Sequence, residues 1–155
     1  MINKTKIKGR FKLISVVLVT LIISLILIKK QAIDIQTIKN MGEDFQYNLI
    51  SVSSVIAGFL FTGISILISV IDKENIKRLW DNNYLDNLYS SAFIGMSSNV
   101  LTIILSLSQL CCDFSDDIQD QVISTEILTL ILGLVCFIWC IKDLLWLITR
   151  LKPKT

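Results

Sequence analysis

Small and hydroxyl-bearing residues recur at spacings of three and four along three stretches of the sequence, and they are the residues best placed to do chemistry. They are Ser54, Gly58, Thr62, Ser65 and Ser69 in one stretch, Ser91, Gly95, Ser98, Thr102 and Ser106 in the next, and Thr129, Gly133, Cys136 and Cys140 in the last. Such spacings keep residues on one face of a helix. Asn99 and Gln109 add larger polar groups to the middle stretch. Each stretch is therefore predicted to present one side that can hydrogen-bond or pack closely.

Two interpretations of these faces stay open. In a bilayer, helices pair through close packing of small residues and through hydrogen bonds between helices, so the faces could be packing surfaces. The same hydroxyls, amides and glycine backbone could instead line a narrow wet path, because pore selectivity depends on such lining groups. The centre of a single four-helix unit is too small for a wide pore. The second interpretation therefore requires several copies of the chain around an axis.

Acidic residues are concentrated in one short segment, residues 112–121. The segment contains Asp113, Asp116, Asp117 and Asp120 and no Lys or Arg. These carboxylates could attract cations toward the outer mouth of a pore, or hold a Ca²⁺ ion. Their spacing does not match a Ca²⁺-binding loop, and a charge run is ordinarily a solvated loop. We therefore expect no metal site.

The residues that most enzymes use for acid–base and metal chemistry are scarce. Histidine, the commonest general base and metal ligand, is absent. Cys111, Cys112, Cys136 and Cys140 form no CxxC pair and are expected to be buried, apolar cysteines. The sequence contains no nucleophile–base pair, phosphate-binding glycine loop or metalloprotease helix motif. We predict a protein that is not an enzyme and that needs no cofactor.

The stretches that position these residues are long and apolar. The chain has 155 residues, of which 53% are hydrophobic, with apolar runs at about 11–28, 49–71, 88–112 and 123–141. A helix needs ~20 residues to cross a ~30 Å hydrocarbon layer, and in lipid only a helix satisfies every backbone group of such a run. The sequence predicts an all-α, integral membrane four-helix bundle that forms a single membrane domain over residues 1–155. The first run is expected to be a retained span, since no cleavage site of a signal peptide follows it.

The ends of these runs are less sharply defined. The second run is expected to continue as helix to about residue 80. Ile35, Ile38, Met41 and Phe45 recur at helical spacing and predict a short helix that lies on the outer interface or simply connects two spans. The fourth run meets Lys142-Asp143. It ends there with an interfacial segment behind it, or it continues to about residue 149 with the charged pair inside the hydrocarbon. A central charge costs roughly 2.5–3.5 kcal/mol, which favours the first alternative.

The positive charges predict the orientation. The N-terminal arm, residues 1–12, holds five Lys or Arg, and the tail, residues 150–155, holds three. Basic segments stay in the cytoplasm, so both termini are expected inside and the acidic segment outside a cell membrane, the plasma or bacterial inner membrane. Lys29-Lys30 fits this orientation less well and is expected to snorkel to the interface. Glu126 is expected at the outer end of the fourth run, so the chain lacks the deep charge that a coupled pump needs.

These features favour a non-enzymatic membrane protein that self-associates and forms or gates a passage for ions or small solutes. In size and in its lack of a soluble domain, the chain is similar to small multi-span effectors of bacterial defence or toxin systems, a likeness of architecture that extends to no motif. The alternative is an accessory or assembly subunit that binds another membrane protein through the same faces. The expected partners are the lipid bilayer, other copies of the chain, and a cytoplasmic or membrane partner protein. Because the net charge is only +2, no nucleic acid is expected.

Overall fold

The protein is all-α. The computed structural model describes residues 14–15, 17–23, 26, 35–70, 84–112 and 114–151. Within these residues the chain forms α1 (Ile35–Met41), α2 (Glu43–Val70), α3 (Tyr84–Cys111) and α4 (Asp116–Leu151), and the described residues of the first apolar run are also helical. The predicted all-α class is confirmed.

Three of the helices in the described part of the chain are long and apolar enough to cross a membrane. The candidate spans are Glu43–Ile66, Leu88–Cys111 and Asp116–Trp146. They indicate a multi-pass membrane protein. The whole basic arm, part of the first predicted span, the expected continuation of the second span to residue 80, and Asp113 lie outside the described residues.

A glycine separates α1 from α2. Gly42 has a φ of 59°, and its N–H donates to the carbonyl of Lys39 at 3.1 Å. This left-handed conformation favours glycine, which has no Cβ, and it commonly ends a helix. The short helix predicted from the spacing of Ile35, Ile38, Met41 and Phe45 is present but ends at this turn, so Phe45 belongs to α2 instead.

The acidic segment is not the loop that the sequence predicts. Asp116, Asp117 and Asp120 belong to the first turns of α4, which begins well before the apolar run at residue 123. The carbonyl of Ser115 accepts hydrogen bonds from the N–H groups of Ile118 at 3.0 Å and Gln119 at 2.9 Å. Carboxylates at the N-terminus of a helix are stabilised by its dipole, which explains why a charge run can be helical here.

Helix α3 is the centre of the bundle. It packs along both α2 and α4, which touch each other far less. The apolar core joins all three helices and comprises Ile56, Leu60, Leu88, Ala92 and Cys140. Large apolar side chains such as Phe59, Phe93 and Ile138 point outward, as expected for helices surrounded by lipid.

Helix α4 runs without a break through Lys142 and Asp143 to Leu151. With a rise of 1.5 Å per residue, its 36 residues extend about 54 Å, well beyond a ~30 Å hydrocarbon layer. A continuous helix therefore does not force the charged pair into the hydrocarbon. The ammonium of Lys142 lies 4.4 Å from the centre of the Trp139 ring, a favourable cation–π contact.

Candidate functional site

Polar side chains are buried where α2, α3 and α4 meet. We call seven of these side chains the interior polar cluster: Gln46, Asn99, Thr102, Ser106, Gln109, Glu126 and Thr129. All but the half-buried Gln109 are less than a tenth exposed. Buried polar groups are costly unless they bond to one another, so their arrangement decides what the site can do.

Glu126 is the charged member of the cluster and is 0% exposed. It lies ten residues after Asp116, about 15 Å along α4. The carboxamide of Gln46 donates from Nε2 to Glu126 Oε2 at 3.3 Å and to Gln109 Oε1 at 3.2 Å. One side chain of α2 thus ties α3 to α4.

Several atoms around this carboxyl have no bonding partner. Ser106 lies close enough to the Glu126 carboxyl for its hydroxyl to interact with it, although neither Ser106 Oγ nor Glu126 Oε1 has a partner at full hydrogen-bond geometry. Gln46 Oε1 is likewise buried and unbonded. Among the residues that the structure describes, no Lys or Arg forms an ion pair with Glu126. A buried carboxylate without a counter-charge is expensive, so this group needs a proton or a cation.

Two threonines continue the cluster along α3 and α4. Thr102 Oγ1 lies 2.8 Å from Thr129 Oγ1, and either hydroxyl can donate. Each hydroxyl also reaches a carbonyl of its own helix, that of Ser98 at 3.1 Å for Thr102 and that of Glu126 at 2.9 Å for Thr129. The pair links the two helices, and the hydroxyls of Thr102 and Thr129 both have hydrogen-bond partners.

Asn99 extends the cluster toward two glycines. Its Nδ2 donates to the carbonyl of Gly95 at 2.7 Å, and its Oδ1 is buried without a partner. A Cβ on Gly133 would lie 2.9 Å from Asn99 Cγ. Glycine at this position therefore makes room for the amide between α3 and α4, in the close approach that small residues permit between membrane helices.

A small polar cavity lies next to the cluster at the α1 end of the bundle. Its volume is about 160 Å³, and Lys39, Glu43, Gln46, Gln109 and Gln119 are among its lining residues. Gln46 thus faces the cavity on one side and Glu126 on the other. The cavity gives the interior polar cluster a polar approach from one end of the bundle.

Lys39 of α1 is anchored at this cavity by the start of α4. Its ammonium lies 2.6 Å from Asp120 Oδ1 and 3.4 Å from Asp116 Oδ1. The hydrogen bond to Asp120 raises the pKa of Lys39 above its usual 10.5. Two of the predicted acidic-mouth residues therefore pair with a lysine, while Asp117 is exposed.

The predicted faces of α3 and α4 point into the bundle. The buried residues are Ser91, Gly95, Ser98, Asn99, Thr102 and Ser106 in α3 and Thr129, Gly133, Cys136 and Cys140 in α4. Cys111 and Cys112, which were expected to be buried, are exposed. All four cysteines are free.

The predicted face of α2 points the other way. Ser54, Gly58, Thr62, Ser65 and Ser69 are all exposed. The hydroxyls of Ser65 and Ser69 bond to carbonyls of their own helix, those of Phe61 and Ile66, each at 2.9 Å. The side of α2 that meets α3 instead carries Gln46, Leu49, Ser53, Ile56 and Leu60.

Sequence reasoning missed Gln46 and undervalued Glu126. Gln46 precedes the second apolar run, and Glu126 reads as a residue at the edge of the membrane. The buried residues of α2 recur at helical spacing from Gln46 onward, but they mix polar and apolar types, so hydropathy alone does not mark this face. Within the described residues, no three His, Cys, Asp or Glu come together as a metal site.

The arrangement can exchange a proton, or hold a cation, at a carboxyl enclosed by neutral hydrogen-bonding groups. No known protein family, characterised protein or solved structure matches this chain.

Proposed function

We propose that this chain is a non-enzymatic, multi-pass membrane protein that self-associates and forms or gates a passage for ions or small solutes. The observation that carries the proposal is the burial of Glu126 among neutral polar groups inside a bundle of membrane-length helices. Ionisable residues within membrane spans are costly and usually mark pathways for ions or protons.

The buried polar groups extend over most of a bilayer's depth. On α3 they run from Ser91 to Gln109, 18 positions, or roughly 27 Å at 1.5 Å per residue. The hydrocarbon layer is ~30 Å thick. A path along this side of α3 could therefore offer hydrogen-bonding groups at nearly every depth.

The interior of a single subunit is packed rather than open. Asn99 fills the space against Gly133, and a Cβ on Gly95 would lie 2.9 Å from Leu60 Cδ1. We therefore assign this conformation to a closed state. Passage requires that the helices separate along the cluster, or that several subunits open a route between them.

Self-association is supported by the outward face of α2. Its exposed small residues leave Gly58 with no atom within 4 Å of where a Cβ would lie. Membrane helices associate through such faces because close backbone approach replaces a hydrophobic driving force. The proposed neighbour is a second copy of the chain.

The same face supports a second candidate function. An accessory subunit would use Ser54, Gly58 and Thr62 to pack against a different membrane protein, and its interior polar cluster would then serve only to hold its own helices together. Co-purification of a fixed partner at defined stoichiometry, with no ion flux from the protein alone, would favour this alternative.

The orientation remains part of the proposal. Lys39 contacts the first turns of α4, so α1 and the α3–α4 connection lie at the same end of the bundle. With four spans and basic termini in the cytoplasm, this end faces outward. The cavity beside Gln46 would then open to the outer side of the membrane.

Ion flux from liposomes tests the proposed function. Liposomes that contain only the purified protein should release cations above the rate of empty liposomes, and Glu126→Gln should lower that flux at least about tenfold, equivalent to ~1.4 kcal/mol. Asp44→Asn is the matched control, since it removes an exposed carboxylate outside both the interior polar cluster and the acidic segment. Liposomes that stay tight across voltages and pH values would contradict the passage.

A further inference from the structure

We infer that the space around Glu126, Gln46 and Ser106 is a binding site for one monovalent metal cation of the sodium or potassium class. The inference deepens the proposed function by naming the cation class. Transport of the cation rests on the proposed passage. Binding of the cation does not, because a cation can bind here whether or not it crosses the membrane.

Three of the unbonded polar atoms at the site are oxygens, and the fourth is the amide nitrogen Gln109 Nε2. Glu126 Oε1 and Gln46 Oε1 are buried acceptors without a donor, and the hydroxyl of Ser106 lies beside the same carboxyl. Carboxylate, carboxamide and hydroxyl oxygens are the ligands that hard cations prefer. A cation bound at the carboxyl would give Glu126 Oε1 the partner it lacks, and rotation of the Gln46 carboxamide, which now faces Glu126 with Nε2, would supply Gln46 Oε1 as a further ligand.

The charge at the site fits a single positive charge. Glu126 supplies one carboxylate, while Gln46, Gln109 and Ser106 are neutral. Asp116 and Asp120 are paired with Lys39, and Glu43 lines the adjoining cavity rather than contacting the Glu126 carboxyl. A divalent ion would leave an uncompensated positive charge in a buried place, whereas a monovalent ion leaves none.

The site has a polar approach. The cavity of about 160 Å³ reaches Gln46 and Gln109 from the α1 end of the bundle. Gln46 contacts the Glu126 carboxyl directly. A cation could therefore shed water in the cavity and reach Glu126 through a short displacement of the Gln46 side chain.

Carbodiimide labelling of the full-length protein in lipid nanodiscs tests this site. Dicyclohexylcarbodiimide reacts with protonated carboxyl groups in apolar surroundings, so a cation bound to Glu126 protects it. Labelling of Glu126, read by mass spectrometry at mildly acidic pH, should slow roughly tenfold at a sodium concentration ten times the dissociation constant. Choline at equal ionic strength should give no protection.

Two variants and the unmodified protein make the result decisive. Glu126→Gln should remove the label, and Gln46→Leu should keep the label but raise the protecting sodium concentration at least about tenfold, equivalent to ~1.4 kcal/mol. Asp44→Asn, which removes an exposed carboxylate outside both the interior polar cluster and the acidic segment, should change neither. If Gln46→Leu fails to fold, the comparison of sodium with choline on the wild-type protein still decides.

Three outcomes would overturn the inference. They are protection by choline equal to that by sodium, no protection at any sodium concentration, and protection by Mg²⁺ or Ca²⁺ at lower concentration than by sodium. Failure of this site is distinguishable from failure of the passage. If sodium protects Glu126 but the protein passes no ions, the cation site is supported and the passage is refuted. If the protein passes ions but sodium gives no protection, the passage is supported and the cation site is refuted.

Discussion

Two sets of small residues with the same helical spacing have opposite surroundings in this protein. The set on α3 and α4 lies inside the bundle, where a Cβ on Gly95 would meet Leu60 Cδ1 at 2.9 Å and Cys136 Cβ at 3.1 Å. The set on α2 lies outside, where a Cβ on Gly58 would meet nothing within 4 Å. Spacing therefore identifies a helix face, but it does not say which side of the helix the protein uses internally.

The side of α2 that packs inside the bundle is selected by its shape complementarity to α3. Between α2 and α3, the small residue Gly95 receives the large side chain of Leu60. In lipid, the apolar and the small side of α2 are almost equally compatible with acyl chains, so hydrophobicity does not choose between them. Shape and the hydrogen bonds of Gln46 decide the orientation of α2, which leaves its small-residue side available to a neighbour.

The largest expected effect on bundle stability comes from filling the inward glycines. Gly95→Leu and Gly133→Leu should each destabilise the bundle by about 1–3 kcal/mol or more, because added carbons in a packed interior force neighbours apart. Unfolding in detergent followed by circular dichroism measures the loss. Gly58→Leu is the matched control on the outward face of α2. Equal destabilisation by all three variants would contradict the claim that the two faces have different surroundings.

A smaller effect is expected from the two bridging threonines. Replacing Thr102 and Thr129 by Val, singly and together, should reveal a coupling energy of about 0.6 kcal/mol, with an upper range near 1.7 kcal/mol, as for hydrogen bonds between other membrane helices. A double-mutant cycle of unfolding free energies measures it. Additive single losses would show that the hydroxyl pair does not link α3 to α4.

A still weaker effect on stability is expected from Lys39. The raised pKa of its ammonium determines how this contribution changes with pH. Since the partner Asp120 raises the pKa of Lys39 above 10.5, the ion pair contributes below that pH and is lost as the pH rises through the raised pKa. Melting temperatures of wild type and Lys39→Met should therefore differ at neutral pH and converge at strongly alkaline pH. Asp117→Asn serves as control, and a difference that persists at alkaline pH would refute the assignment.

The smallest effect on the bundle is expected on the outward face. Gly58→Leu should change the unfolding free energy by less than about 0.5 kcal/mol, as for other exposed positions, yet it should disrupt self-association. Light scattering of the purified protein in detergent measures the oligomer. An unchanged oligomer size would remove α2 as the association surface.

Much of the fold could be predicted from the sequence, because length and hydropathy nearly determine helices in lipid. The all-α class and the helices around three of the apolar runs follow from this constraint. The beginning of α4 could not be placed, since Asp116 and Asp117 look like loop residues although they favour a helix N-terminus. The continuation of α4 past Lys142 could not be predicted either, because hydropathy marks the end of an apolar run and not the end of a helix.

The candidate site could be predicted only in part. Spacing picked out Thr102, Ser106 and Thr129, which lie in the interior polar cluster. Asn99 and Gln109, singled out as larger polar groups of the same stretch, lie there as well. The contact of Gln46 with Glu126 joins residues 80 positions apart, so no local pattern contains it. That contact depends on how α2 is rotated about its axis relative to α3. Tertiary packing determines this rotation, and the local sequence does not.

Disulfide cross-linking in the membrane tests most directly whether α2 faces a second copy while α3 faces its own subunit. In a protein whose four native cysteines are replaced by alanine, Ser54→Cys and Ser98→Cys are compared under a membrane-permeant oxidant. A disulfide requires Cα atoms within about 7 Å, so only a residue at the contact between copies can form one. We expect covalent dimers from Ser54→Cys and none from Ser98→Cys. Dimers from Ser98→Cys with a monomeric Ser54→Cys would contradict the assignment of the two faces.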